Sequence, residues 1–192
     1  MARVVCGNIF NLFLFKTFKR LINNDQRMAS SLKNLSDFST ASDIPSAEDF
    51  TFGIAVAEWN AEVTGALYKG AFDTLVKYGA KEENIHSYPV PGSYELVASA
   101  DLLLQTGKFD AIICLGCVIQ GETRHFDFIC DAVANGLYTV GVKYAKPVIF
   151  GVLTTNDQQQ AIDRAGGKHG NKGDEAAVTA IKMAKLAAKL KE

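Results

Sequence analysis

Short, mostly apolar runs alternate with longer amphipathic ones from Phe50 onward, and this alternation narrows the choice of fold more than any other feature. Phe52–Ala57, Ile85–Val90, Ala111–Leu115 and Pro147–Leu153 have the length and content of buried strands. Between them lie helical patterns. Leu67, Ala71, Leu75 and Tyr78 fall on one face, as do Leu96, Val97, Ala100, Leu103 and Leu104. Asn60 is a good N-cap for the first helix, and Gly79 and Gly107 stand where the first two would stop. After the fourth strand come a short helix over Asp157–Arg164, a flexible basic loop over Gly166–Gly173, and an amphipathic helix over Asp174–Leu190. Acids open that last helix and lysines close it, matching its dipole. Strands alternating with helices predict an α/β chain, a four-stranded parallel sheet covered on both faces as a three-layer α/β/α sandwich.

Ligands of such sheets gather beyond the carboxyl ends of the strands. Three segments lie there: Ala57-Glu58-Trp59-Asn60, Pro91-Gly-Ser-Tyr-Glu95, and Gly116-Cys-Val-Ile-Gln-Gly-Glu-Thr-Arg-His-Phe-Asp127. The third follows the strand Ala111–Leu115 and leads into an amphipathic pattern over Phe126–Val142, so it reads as a glycine-bracketed turn before a helix. Thr123 and the amides around it then stand where a helix has unpaired N–H donors, a setting that suits a phosphate. His125, two residues on, brings an imidazole, a group whose ordinary pKa near ~6.5 lets it move protons around neutrality.

Each of these residues has a plainer reading. Trp59, the sole tryptophan, is a core or interface aromatic as readily as a stacking platform. Ser93, Tyr94 and Glu95 could do no more than cap a helix. Phe150 would pack in a strand, and Arg164 would serve the dipole at a helix end as well as it would grip a phosphate. Lys168, His169 and Lys172 read as solvated, and His86 as structural.

The 192 residues are enough for one domain with a sizeable core. A net charge of -1 argues against a nucleic-acid footprint. Cys114-Leu-Gly-Cys117 has the spacing of a redox or metal pair. With no second such pair or nearby His pair, it reads instead as two reduced thiols, one packed in the sheet and one at its end. A reducing, cytoplasmic compartment follows from that reading. Residues 1–27 hold five basic residues against the single acid Asp25, and their apolar cluster Ile9–Phe15 is too short to span a bilayer. A transit peptide fits the basic composition, but no serine precedes Ser30. The reading preferred is an upstream extension ahead of Met28. Residues 29–50 read as an irregular arm, so the expected division is 1–49 as extension and arm and 50–192 as the folded domain.

Gly116 to Asp127 resembles the signature of the lumazine synthases. Trp59-Asn60, Val90-Pro-Gly-Ser-Tyr-Glu-Leu96, Phe150-Gly-Val-Leu-Thr-Thr-Asn156 and Arg164-Ala-Gly-Gly-Lys-His-Gly-Asn-Lys-Gly173 follow the order and spacing of that family over residues 50–188. The resemblance implies a flavodoxin-like fold and an enzyme of riboflavin biosynthesis. It would condense 5-amino-6-(D-ribitylamino)uracil with 3,4-dihydroxy-2-butanone 4-phosphate and needs neither metal nor organic cofactor. By the same resemblance, Trp59 stacks on the pyrimidine, at a place where other members often carry Phe. Ser93, Tyr94 and Glu95 bind the ribitylaminouracil, with Glu95 towards its hydroxyls, and Cys117, Val118 and Ile119 lie along the heterocycle. Phe150 reaches the pyrimidine from a neighbouring subunit. Glu122, Thr123 and Arg164 hold the butanone phosphate, and His125 moves protons. Cys117 departs from the small residues common at its place. Pentamers, 60-subunit icosahedral shells and a link to riboflavin synthase are further family traits. A non-catalytic lumazine-binding or shell-forming relative is the alternative.

Overall fold

The computed structural model describes residues 34, 36–38 and 44–191, all within one compact unit, Leu32–Glu192. The expected extension over residues 1–27, Cys6 and much of the arm lie outside the described residues. The regular chain runs β1 (Phe52–Ala57), α1 (Ala61–Lys77), β2 (Ile85–Val90), α2 (Leu96–Gln105), β3 (Ala111–Ile119), α3 (His125–Tyr144) and β4 (Val148–Thr155). It continues with α4 (Gln158–Asp163), β5 (Ala165–Gly167), β6 (Gly170–Asn171) and α5 (Lys172–Lys189).

The first four strands form one parallel sheet in the order β2-β1-β3-β4. Side chains alternate across it because successive residues of a strand face opposite sides. Ile54, Ile113, Leu115 and Leu153 join Leu67 and Leu75 of α1 and Ala177 and Ile181 of α5 in one core layer. Ala55, Ile112, Cys114 and Val152 join Leu96 and Ala100 of α2 and Val133 and Leu137 of α3 in the other. The three-layer sandwich expected from the alternation is the observed one. Pro89 lies in β2, an edge strand, where a residue without an N–H does least harm to the ladder.

The same alternation disposes of the cysteine pair. Cys114 and Cys117 both lie in β3, three residues apart, and belong to opposite core layers. An odd separation along a strand points two side chains to opposite faces, so a spacing that would place two thiols together on a turn keeps them apart here. Both are free, and burial pushes Cys114 up to about 12 and Cys117 up to about 11.

Three expected elements are corrected. Gly116–Ile119, read as the beginning of a turn, instead extends β3 to nine residues, because β4 continues alongside to pair Gly116 with Val152 and Ile119 with Thr155. Gly166–Gly173, read as a flexible loop, forms the antiparallel β5–β6 hairpin and the start of α5. Asn171 fixes that corner. Its Oδ1 accepts from Gly173 N at 2.8 Å as a helix cap, and its Nδ2 donates to Ala66 O of α1 at 2.9 Å. The closing helix therefore starts at Lys172, two residues before the expected Asp174. A methyl group on Gly173 would stand 2.0 Å from Leu67 O, so only a glycine allows α1 and α5 to approach this closely.

Candidate active site

β1 pairs with β2 on one side and β3 on the other, so the chain reverses its direction of sheet growth beside β1. Connections leave in opposite directions at such a point and open a crevice beyond the strand ends. A cleft of about 700 Å³ lies there. Trp59 and Asn60 enter it from the end of β1, Gly92 to Glu95 from the end of β2, Cys117 to Ile119 from the end of β3, and His125 and Ile129 from the first turns of α3.

Hydrogen bonds hold these three strand ends together. Glu58 N donates to Val90 O at 2.8 Å and Trp59 N to Pro91 O at 3.3 Å, tying the first connection to the second. Asn60 Nδ2 donates to Cys117 O at 3.0 Å, tying the first to β3. Trp59 is left 73% exposed, a cost for a large aromatic that few structural roles require. A methyl on Gly92 would lie 3.1 Å from Glu95 Oε2 and 3.5 Å from Trp59 Cδ1, so carboxylate and indole edge both approach that glycine.

Ser93 differs from its expected capping role. Its carbonyl, not its hydroxyl, takes the first bond of the turn, accepting from Leu96 N at 3.3 Å, and Glu95 occupies the N-cap place of α2 without a side-chain bond. Ser93 is 7% exposed, and its Oγ is the one buried side-chain polar atom without a partner among the described residues. A buried hydroxyl left unpaired costs on the order of 1–3 kcal/mol, which a polar ligand in the cleft would recover. Gly116 makes room for it, since a methyl there would come within 2.6 Å of Ser93 Oγ.

Asn60 is also corrected. It stands at the N-cap place of α1, yet its side chain makes no cap bond, and its backbone is left-handed (φ 59, ψ 47). At the start of α3, His125 N donates to Thr123 Oγ1 at 3.4 Å, so the helix begins one residue ahead of the expected Phe126. Glu122, Thr123 and His125 are exposed at the start of α3, the positive end of its dipole.

Eight of the twelve residues singled out in the sequence line this cleft: Trp59, Ser93, Tyr94, Glu95, Cys117, Val118, Ile119 and His125. Glu122 and Thr123 adjoin it through His125 but do not line it. Phe150, 37% exposed, sits mid-strand in β4 opposite Cys114 and is not in the lining. Arg164 ends α4, where its Nη1 donates to Gln160 O at 3.0 Å, the structural role that a cation at a helix end can always play. Beside it, Lys168 pairs with Asp163 at 2.8 Å and holds that carboxyl below its usual range. Ile129 was missed, although its place one turn after His125 on the same helix face signalled it.

The residues that build this cleft fall within a region similar to known proteins. The family model described as 6,7-dimethyl-8-ribityllumazine synthase matches residues 49–188. A 6,7-dimethyl-8-ribityllumazine synthase of Cytophaga hutchinsonii is 58% identical over 156 residues, covering 81% of this chain and 97% of its own length. Its counterpart in Flavobacterium johnsoniae is 53% identical over 157 residues, 82% of each chain. That of Phocaeicola vulgatus is 48% identical over 165 residues, 86% of this chain and 98% of its own. The match spans every strand and helix that builds the cleft, and the chain belongs to the 6,7-dimethyl-8-ribityllumazine synthase family.

Proposed function

We propose that this chain condenses 5-amino-6-(D-ribitylamino)uracil with 3,4-dihydroxy-2-butanone 4-phosphate to give 6,7-dimethyl-8-ribityllumazine, the penultimate step of riboflavin biosynthesis, in the cleft beyond β1, β2 and β3. The observation that carries this reading is the convergence of Trp59, Glu95 and His125 on one cleft in a member of this family.

The pyrimidine stacks on Trp59, and the main chain from Cys117 to Ile119 reads its polar edge. Ser93, Tyr94 and Glu95 take the ribityl chain, whose hydroxyls supply partners for Ser93 Oγ and the Glu95 carboxylate. The pyrimidine amine attacks the ketone and water leaves to form an imine. Phosphate is then eliminated, the second amine closes the ring, and a second water departs. Each step relocates protons, which His125 carries at the mouth of the cleft. Glu122, Thr123 and the positive start of α3 hold the phosphate, and Arg164 swings from Gln160 O to close on it. Holding two substrates in register accounts for much of the acceleration, roughly 7–11 kcal/mol where orientation is ideal. The neutral Cys117 thiol serves as a soft apolar wall, not as a nucleophile.

Trp59 and Tyr94 are left exposed at the cleft, and Phe150 is partly exposed on the edge strand β4. A neighbouring subunit of a homo-pentamer, alone or within a 60-subunit shell, would bring its own Phe150 against the pyrimidine. The product's natural consumer is riboflavin synthase, and free thiols suit the reducing cytoplasm. Among the described residues no helix is long and apolar enough to cross a membrane.

The test is to mix the purified protein with both substrates and follow the absorbance of the lumazine. Product formed at a rate proportional to protein supports the enzyme. Binding of the pyrimidine without turnover would favour the non-catalytic relative, and light scattering would separate pentamer from shell.

A further inference from the structure

We propose that Asn60 is a positioning residue, holding Trp59 and the Cys117 carbonyl in the geometry the heterocycle needs. Two observations carry it. Asn60 is one of two non-glycine residues with positive φ among the described residues, and the other, Ala145, closes α3, where a left-handed residue is ordinary. Asn60 opens a helix, where a left-handed backbone is unusual. Such strain persists only where the surroundings impose it, and it gathers at functional sites. Its side chain has also forgone the usual capping bond and instead crosses to β3, donating to Cys117 O at 3.0 Å.

The two features act together. Val63 N and Thr64 N donate to Asn60 O at 2.9 and 3.0 Å, fixing the carbonyl of Asn60 as the first acceptor of α1. Trp59 N is held by Pro91 O. Between these anchors, the left-handed turn at Asn60 sets the direction in which Trp59 leaves the strand, and the amide ties the β1–α1 connection to the end of β3, beyond the last paired residues Val56 and Leu115. The same bond occupies one lone pair of the Cys117 carbonyl, leaving the other for a ligand. Asparagine suits the place because it tolerates the left-handed region better than other side-chain-bearing residues and carries a donor of the right length.

This inference rests on the cleft taking a heteroaromatic ring, and its test is arranged so that the two can fail separately. Asn60→Gly keeps the left-handed backbone at no cost and removes the donor. Asn60→Asp keeps the shape and turns an oxygen towards the Cys117 carbonyl. Because Trp59 is the only tryptophan, the emission of the unliganded protein reports its setting directly. Both variants are expected to shift that emission and to raise the KM for the pyrimidine by about three- to tenfold, the share of one neutral hydrogen bond, with kcat nearly unchanged. Asn60→Asp should be the more affected. Wild-type emission and KM in Asn60→Gly would overturn the proposal. So would a parallel fall of kcat and thermal stability without a change in KM, which would make the bond purely structural. If the wild type forms no lumazine, the function proposed above fails, and the emission comparison alone decides the role of Asn60.

Discussion

The two ends of the sheet are built to different standards. At the amino end the polar groups are closed upon one another. Thr51 N donates to Asp110 Oδ2 at 2.9 Å while Asp110 N donates to Thr51 O at 2.8 Å, and Lys146 Nζ covers Phe109 O at 2.8 Å. Ala47 N reaches Tyr78 O at 2.8 Å and seals the end of α1. At the carboxyl end the chain leaves a tryptophan in solvent, a serine hydroxyl buried without a partner and an asparagine left-handed. Each departure is unfavourable by itself and understandable if a ligand completes it. Local rules are broken where binding is wanted and kept where only folding is at stake.

This contrast can be broken experimentally, beginning with the sealed part. Leu67 of α1 is fully buried against α5 and the sheet, so Leu67→Ala should destabilise by about 2–5 kcal/mol in denaturant unfolding. Its kcat/KM per folded molecule should stay that of the wild type. A disproportionate loss of activity would mean that core and cleft are not separable.

At the open end the expected effects reverse. His125→Ala should lower kcat by about 10²-fold, the lower part of the range for general acid–base groups, and leave measurable turnover because both substrates are still held. Arg164→Ala should instead raise the KM for the phosphate substrate by about tenfold or more, as expected for a charge-assisted contact. Steady-state kinetics with each substrate varied would separate the two. Complete inactivity in the first, or an unchanged KM in the second, would overturn these assignments.

Trp59→Ala should move the unfolding midpoint very little, since an exposed side chain makes few contacts, yet lose about 1–3 kcal/mol of binding to the pyrimidine by calorimetry. A large loss of stability would show that the indole is structural after all. The smallest effect is expected from Ser93→Ala. Removing a hydroxyl that nothing in the free chain satisfies should leave the thermal midpoint equal or slightly raised, and raise the KM for the ribityl substrate only a few-fold. A clear fall in the midpoint would mean that the hydroxyl has a partner in the folded protein.

The strands and helices were legible because their interiors carry continuous signals. Phe52–Ala57 and Ile85–Val90 were placed to the residue, and Gly79 and Gly107, at φ 97 and 70, end α1 and α2 as expected. The misses share one cause. Gly116 to Ile119 looks like a turn because Gly116 interrupts the apolar run, although Val118 and Ile119 are strand formers, and the neighbouring β4 supplies the pairing that extends β3 past the glycine. Gly166 to Gly173 looks flexible for the same reason, until Asn171 pins it to α1. Residues lining the cleft could be guessed as neighbours because parallel topology sends every strand's carboxyl end to one edge. Phe150 and Arg164 could not be placed with them by that logic, because one sits mid-strand, away from the carboxyl edge, and the other rests on its own helix.

What the order of residues determined alone was periodicity: which segments are strands, which faces are apolar, and therefore that a covered parallel sheet must carry its polar loops at one edge. What only the tertiary structure decided were the relations between segments distant along the chain. Examples are the bond from Asn60 to the Cys117 carbonyl, the pairing with β4 that extends β3 through Ile119, and the stranding of the Ser93 hydroxyl beneath Gly116. Periodicity is a local property of the backbone and is written residue by residue. A hydrogen bond across 57 residues depends on how whole elements pack, which no local window of the chain contains.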